Sequence, residues 1–142
     1  MYIFDIDGTI ANAEHRVHHL KGPKKNWEEF LSLAHKDKPI QDTIDMMNHL
    51  HDDYIICLIT GRSEETRRST EDWLVRHGCY CDHLWMRPKG DMREDAIVKK
   101  EIYEQNAKSF YKCRGVFEDR DRVVKMWRDL GLICYQVCEG DY

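Results

Sequence analysis

Asp5 and Asp7 stand two residues apart at the end of the first apolar run, in Phe4-Asp5-Ile6-Asp7-Gly8-Thr9. On extended backbone, side chains two positions apart lean the same way, so the two carboxylates share a corner rich in hard oxygen. Such a pair can divide its labour, one acid staying ionised as nucleophile and Mg²⁺ ligand while the other carries a proton for the leaving group. Gly8 lets the chain turn sharply just afterwards. An aspartate-rich turn closing a strand has the same letters, so the pair alone does not decide between chemistry and a turn.

Further stretches carry side chains of a matching kind. Thr60-Gly61-Arg62 ends the apolar run Tyr54 to Ile59, and a hydroxyl with turn amides at the carboxyl end of a central strand is suited to holding phosphate oxygens. Ser63 is expected to cap the helix that follows, adding its positive amino end. Lys99 falls near the middle of an apolar arc of Ala96, Val98, Ile102, Tyr103, Ala107 and Phe110, in a helix expected between Pro88 and Phe110. A lysine there either snorkels to water or aims its ammonium at a phosphoryl group and the carboxylate beside it. Glu118-Asp119-Arg120 follows the short strand Gly115-Val116-Phe117, and acids at that place can complete an octahedral oxygen site for Mg²⁺ with Asp5. Arg16 lies in a polar helical start from Ala11 to His19 with Glu14, His15, His18 and His19. A solvated helix accounts for the three histidines, whereas a guanidinium on that exposed helix could fork onto phosphate oxygens.

Positioning these groups takes strands alternating with helices. Strands are expected at Tyr2–Phe4, Tyr54–Ile59, Tyr80–Trp85, Gly115–Phe117 and Leu132–Val137. The unbroken run at Tyr54 to Ile59 reads as a strand buried on both faces of a parallel sheet. Between the first two strands, the basic loop Lys21 to Lys25, with Gly22 and Pro23, leads to a short helix capped by Asn26 and carrying Trp27, Phe30, Leu31 and Ala34 at helical spacing. Pro39 should end that flap before a helix from Asp42 to Leu50 that faces Ile44, Met47 and Leu50 inward. The helix from Ser63 to His77 should stop at Gly78 in a left-handed cap. Its Arg67 and Arg68 serve solubility, or share a rim with Arg62 that meets a phosphodiester backbone. The last helix presents Val123, Val124, Trp127 and Leu130 and stops at Gly131.

The 142 residues are enough for one domain, burying roughly two thirds of the unfolded chain's surface. A net charge of −4 argues against non-specific coating of nucleic acid. The six cysteines, without a signal peptide, point to a reducing compartment, and Cys57 and Cys134 sit inside apolar runs. Cys79, Cys81 and His83 alternate near His77, but no second Cys or His pair completes a zinc site. No apolar run approaches the roughly 20 residues that span a bilayer, so the expectation is a soluble, cytoplasmic protein without a membrane partner.

The four motifs, in order, resemble those of the haloacid dehalogenase superfamily of phosphotransferases. Further stretches are similar to the 3′-phosphatase domain of bacteriophage polynucleotide kinase-phosphatases: Arg87-Pro88-Lys89, Asp91 to Asp95, Val98 to Ile102, Val123 to Arg128, and the tail Tyr135-Gln136-Val137 with Gly140-Asp141-Tyr142. This resemblance covers nearly the whole chain. It implies a three-layer, Rossmann-like α/β fold over residues 1–142, with a mostly parallel five-stranded sheet and a small helical cap at about 11–40. By position it places the nucleophile on Asp5, the acid/base on Asp7, the phosphate-contacting arginines on Arg16 and Arg62, and the lysine on Lys99. Thr60 and Gly61 would join the phosphate site, and Asp5, Asp7, Asp119 and Glu118 the Mg²⁺ site. Glu118 departs from that branch, which has an aspartate there, so Asp119 is the surer ligand. The implied reaction is Mg²⁺-dependent release of 3′-phosphate from nucleic-acid ends, a repair activity. A phosphatase of free nucleotides or other small phosphoesters is the alternative, and a non-catalytic phosphate-binding module a more distant one. The chain has no G-x-x-x-x-G-K-[ST] loop, so no kinase half is expected in it.

Overall fold

The computed structural model describes residues 1–21 and 23–140. Gly22 of the basic loop and Asp141 and Tyr142 of the tail lie outside the described residues. In chain order the elements are β1 (Tyr2–Phe4), β2 (Ala11–Asn12), α1 (Glu14–Val17), α2 (Trp27–Ser32), β3 (Lys38–Pro39), α3 (Gln41–His51), β4 (Ile56–Ser63), α4 (Arg67–Arg76), β5 (His83–Arg87), α5 (Asp95–Asn106), β6 (Gly115–Arg120), α6 (Asp121–Asp129) and β7 (Cys134–Gly140). Short 3₁₀ turns follow α1, α2 and β4.

The five-stranded sheet has the order β5-β4-β1-β6-β7, and every pair in it is parallel. β1 is central, with Ile3 beside Cys57 and Val116, and Phe4 beside Leu58 and Phe117. Alternation along the strands splits the core in two. Ile3, Cys57, Ile59 and Val116 pack with Val98, Ile102, Val123, Val124 and Trp127 of α5 and α6. Phe4, Ile56, Leu58 and Phe117 pack with Ile44, Met47, Trp73 and Leu74 of α3 and α4. This is the expected three-layer α/β architecture, and its candidate site residues lie toward or just past the carboxyl ends of β1, β4 and β6.

Several boundaries differ from the sequence reading. The helix expected over Ala11 to His19 is instead β2 paired with β3, then the single turn of α1. Ala11 and Ala13 are buried, and Asn12 Oδ1 accepts from Glu14 N, which starts the helix late. Pro39 does not stop a helix; it pairs with Ala11 in β3. α2, β2 and β3 belong to a segment with its own small apolar cluster of Ala13, Leu20 and Phe30. β4 runs on through Ser63, whose hydroxyl accepts from Glu65 N and caps a 3₁₀ turn rather than α4. β5 and β7 start later than expected, which leaves Tyr80 exposed. α5 is shorter at both ends, and Phe110 lies outside it at 73% exposure instead of on the buried arc. Arg87 helps fix the loop before it, donating to the carbonyls of Asp91 and Arg93. Gly78 and Gly131 do take positive φ at the helix ends.

Candidate active site

Asp5 follows β1 directly, its N–H donating to Phe117 O, so its side chain is set by the central strand pair. Lys99 of α5 reaches Asp5 Oδ1 at 2.8 Å, Glu118 Oε2 at 2.8 Å and Asp95 Oδ2 at 3.4 Å. All of these are buried or nearly so, and Lys99 is 1% exposed. Burial lowers the lysine's affinity for a proton, but Asp5, Asp95 and Glu118 outweigh it and hold the ammonium firmly charged. Burial, with Glu118 beside it, outweighs Lys99 at Asp5 and raises that carboxyl well above its ordinary range. Burial likewise lifts Glu118 to about 7, against the pull of Lys99.

Asp7 lives in the opposite field. Its Oδ1 accepts from Arg16 at 2.6 Å and from Arg62 at 2.6 and 3.0 Å. Burial works to raise its pKa, yet Arg62 and then Arg16 outweigh it and hold the carboxyl well below the usual range. Behind it, Asp37 accepts from Arg16 Nε at 2.7 Å, Arg62 at 3.0 Å and His15 at 2.8 Å. Arg16 also donates to Phe30 O and lies 4.0 Å over the Phe30 ring. At 0% exposure it is in the core, not on the exposed helix expected from its polar neighbours. Arg62 is buried too and forms no rim with Arg67, which is paired with Glu64 and Glu71.

A cavity of about 450 Å³ opens over this floor. Asp5, Asp7, Gly61, Glu118 and Asp119 line it. Arg16, Arg62 and Lys99 lie behind those carboxylates, each within one hydrogen bond or ion pair of one of them. Thr60 is buried, and its hydroxyl accepts from Arg62 N at 3.2 Å, fixing the turn. Asp37 and Asp95 were not singled out from sequence. Asp37 sits in a Lys-Asp-Lys-Pro run that reads as solvated charge, while Asp95 was findable as the acid one turn before Lys99.

Asp5, Glu118 and Asp119 each bring a carboxylate oxygen within 4.8 Å of the others, the arrangement a small divalent cation needs. Asp119 fits a cradle without side chains: a Cβ on Gly8 would come within 2.1 Å of its Oδ2, and one on Gly140 within 2.6 Å. Gly8 also turns with φ +83°. Glu118 is engaged on both oxygens, Oε2 by Lys99 and Oε1 by the N–H groups of Asp119 and Arg120. Asp7 is not among the three residues of this group, and its Oδ1 accepts from the two guanidiniums. Cys79, Cys81, His77 and His83 form no such group among the described residues.

The sequence profile of the family described as polynucleotide kinase PNKP phosphatase domain matches residues 1–142. The chain belongs to that family. A PNKP-type phosphatase domain is a hydrolase of the haloacid dehalogenase class. A protein of Autographa californica nuclear polyhedrosis virus assigned as a bifunctional polynucleotide kinase/RNA ligase is 29% identical over 142 residues, 97% of this chain and 19% of that protein. A chain in the solved Pnkp1/Rnl/Hen1 complex is 31% identical with a TM-score of 0.85, over 99% of this chain and 46% of that one. The chain thus spans under half of the relatives it resembles in sequence. An enzyme of the same class from Bacteroides thetaiotaomicron, solved with magnesium and inorganic phosphate, shares the fold at TM-score 0.58 and 11% identity, over 99% of this chain and 95% of that one. No helix among the described residues is long and apolar enough to cross a membrane.

Proposed function

We propose that this PNKP-type domain is a Mg²⁺-dependent phosphomonoesterase that releases the 3′-phosphate of polynucleotide ends through a phosphoaspartate on Asp5. The observation that carries the reading is the split environment of the two acids: Asp5 faces an ammonium, and Asp7 faces two guanidiniums. An Asp5 oxygen attacks phosphorus as the bond to the leaving oxygen breaks, and Asp7 donates the proton that oxygen needs. Water then attacks the phosphoaspartate. Asp7 takes its proton, the bond to Asp5 breaks, and phosphate leaves with the Asp5 carboxylate restored.

Asp7 can donate only if it is first relieved of Arg16 and Arg62. Incoming phosphate oxygens compete for those same guanidiniums, so binding itself lifts the Asp7 pKa toward working range. Lys99 neutralises charge on the phosphoryl oxygens and steadies Asp5. Asp5 and Asp119 would hold Mg²⁺, with Glu118 acting through Lys99 and the backbone of Asp119. The ion, when bound, neutralises the carboxylate cluster and polarises the phosphoryl group. Residues 11–40 would serve as the cap of a single domain over residues 1–142. Relatives assigned to polynucleotide kinase/ligase function and to an RNA repair complex favour a nucleic-acid end as substrate, RNA first.

The test is phosphate release from 3′-phosphorylated RNA and DNA oligonucleotides and free nucleoside monophosphates, with Mg²⁺ and with chelator. The expected outcome is Mg²⁺-dependent turnover that is highest in kcat/KM on oligonucleotides and abolished in Asp5→Asn. Higher kcat/KM on free nucleotides would replace the polynucleotide reading with the small-substrate one. Asp7→Asn should still form phosphoaspartate from a substrate with a very good leaving group but fail to break it down; equal residual turnover in the two variants would contradict the roles.

A further inference from the structure

The cavity above the carboxylates is built for more than a phosphoryl group. At about 450 Å³ it falls in the range of sites that enclose a whole nucleotide-sized ligand. Among charged residues of both signs, its lining has an apolar part from two separate segments: Trp27, Phe30 and Leu31 on α2, and Pro88 and Met92 in the loop before α5. Trp27 is 36% exposed and Met92 80% exposed, so each offers apolar surface that a bound ligand can bury. Trp27 is nevertheless held in place, edge-on to Phe30 at 5.8 Å and 85°.

The charges beside these side chains select the occupant. Arg67, Arg87 and Arg93 are each committed to carboxylates. Lys25 and Arg122, which also line the cavity, are exposed and make no ion pair with a described residue. Lys25 keeps its ammonium 5.7 Å from the Trp27 ring. An aromatic ring with the Lys25 ammonium beside it and the Arg122 guanidinium elsewhere in the same lining, next to a phosphate-directed floor, matches a base with phosphates near it. A small phosphoester would leave the apolar lining wet, and an acyl chain would leave the cations unused.

We propose that Trp27, with Met92, is the subsite for the nucleobase of the 3′-phosphorylated terminal nucleotide, and that Lys25 and Arg122 meet the phosphodiester on its 5′ side. This rests on the polynucleotide reading and adds to it that the domain grips the terminal base and not the phosphate alone. Any of the four bases offers a ring face, so the subsite tolerates sequence.

Two 3′-phosphorylated trinucleotides separate the possibilities, one ordinary and one whose terminal residue is a stable tetrahydrofuran lacking the base. The wild-type protein should prefer the first by about fivefold to a hundredfold in kcat/KM, as expected for one stacked base, chiefly through KM. In Trp27→Ala that preference should collapse to within about twofold, and in Trp27→Phe most of it should return. Met92→Ala, at a highly exposed position where folding is not at stake, should lower the preference in part. Equal wild-type rates on the two trinucleotides, or an undiminished preference in both Trp27→Ala and Met92→Ala, would overturn the subsite while leaving the polynucleotide reading intact. Refusal of both trinucleotides by a protein that hydrolyses free nucleotides would overturn both.

Discussion

Arg16 and Arg62 share both of their carboxylate partners: each donates to Asp7 at the cavity wall and to Asp37 behind it. One acid of this quartet can let go of the guanidiniums when a phosphate arrives, because the other keeps them in place. Asp37 is therefore expected to act as a positioning residue, and it is fixed in turn by Trp73 Nε1 donating to its carbonyl. Asp37→Asn preserves shape but leaves two buried guanidiniums short of charge, which typically costs about 3–5 kcal/mol. The expected result is a lower Tm together with a fall in kcat of at least tenfold. A variant with native melting behaviour and native kcat would remove Asp37 from this role.

Arg16→Lys tests the fork directly. Lysine keeps the charge but cannot span Asp7 and Asp37 or stack on Phe30 as the guanidinium does. Activity should drop on the order of ten- to a hundredfold, corresponding to about 1.5–3 kcal/mol for a lost charged hydrogen bond. Stability should fall as well, because the side chain is wholly buried, and thermal melts beside kinetics will show whether both move. Activity loss without destabilisation would restore the exposed position that its sequence neighbours suggest.

That correction marks where sequence reading stopped. Hydrophobic alternation was enough to place β1, β4 and β6, since each is an apolar run with two buried faces, and the acids and turn residues at their ends followed. Lys99 was legible because a cation in the middle of an apolar arc demands a partner. Arg16 was named from the resemblance, but its burial was not legible, nor were the partnerships of Asp37 and His15, because their charges cancel only in three dimensions; along the chain each sits among polar residues and reads as surface. Helix ends were missed for a related reason. Side chains such as Asn12 and Arg87 satisfy backbone groups locally and shift where regular structure begins.

Gly8→Ala should be far more damaging than Gly78→Ala, though both glycines have positive φ. The added Cβ at Gly8 would collide with the Asp119 carboxylate, whereas at Gly78 it meets nothing within 4 Å. Gly78→Ala should lose roughly 1 kcal/mol from backbone strain alone and keep its activity. Gly8→Ala should lose Mg²⁺-dependent turnover even under conditions where circular dichroism shows it folded. Comparable activity losses in the two would remove the Gly8–Asp119 approach from the explanation.

The thiols offer a test of burial without any substrate. Cys57 and Cys134 are buried, and burial pushes each thiol up to about 12. Both should resist alkylation in the native state and react only on unfolding. Cys138, exposed on the edge strand β7, should be modified first. Mass spectrometry after brief labelling reads the order, and early modification of Cys57 would show the β1–β4 face to be open.

The central strand has a consequence for how activity arises in time. Tyr2 pairs with Ile56 on one side and Gly115 on the other, so β1 gains neither neighbour until distant parts of the chain have already met. Pairing of such long reach closes slowly and rewards the chain only near the end of folding. Asp5 follows that strand, and Glu118 and Asp119 lie on its neighbour, so the candidate site forms only when strands distant in sequence have paired. Activity is therefore expected to return together with these long-range pairings and not ahead of them.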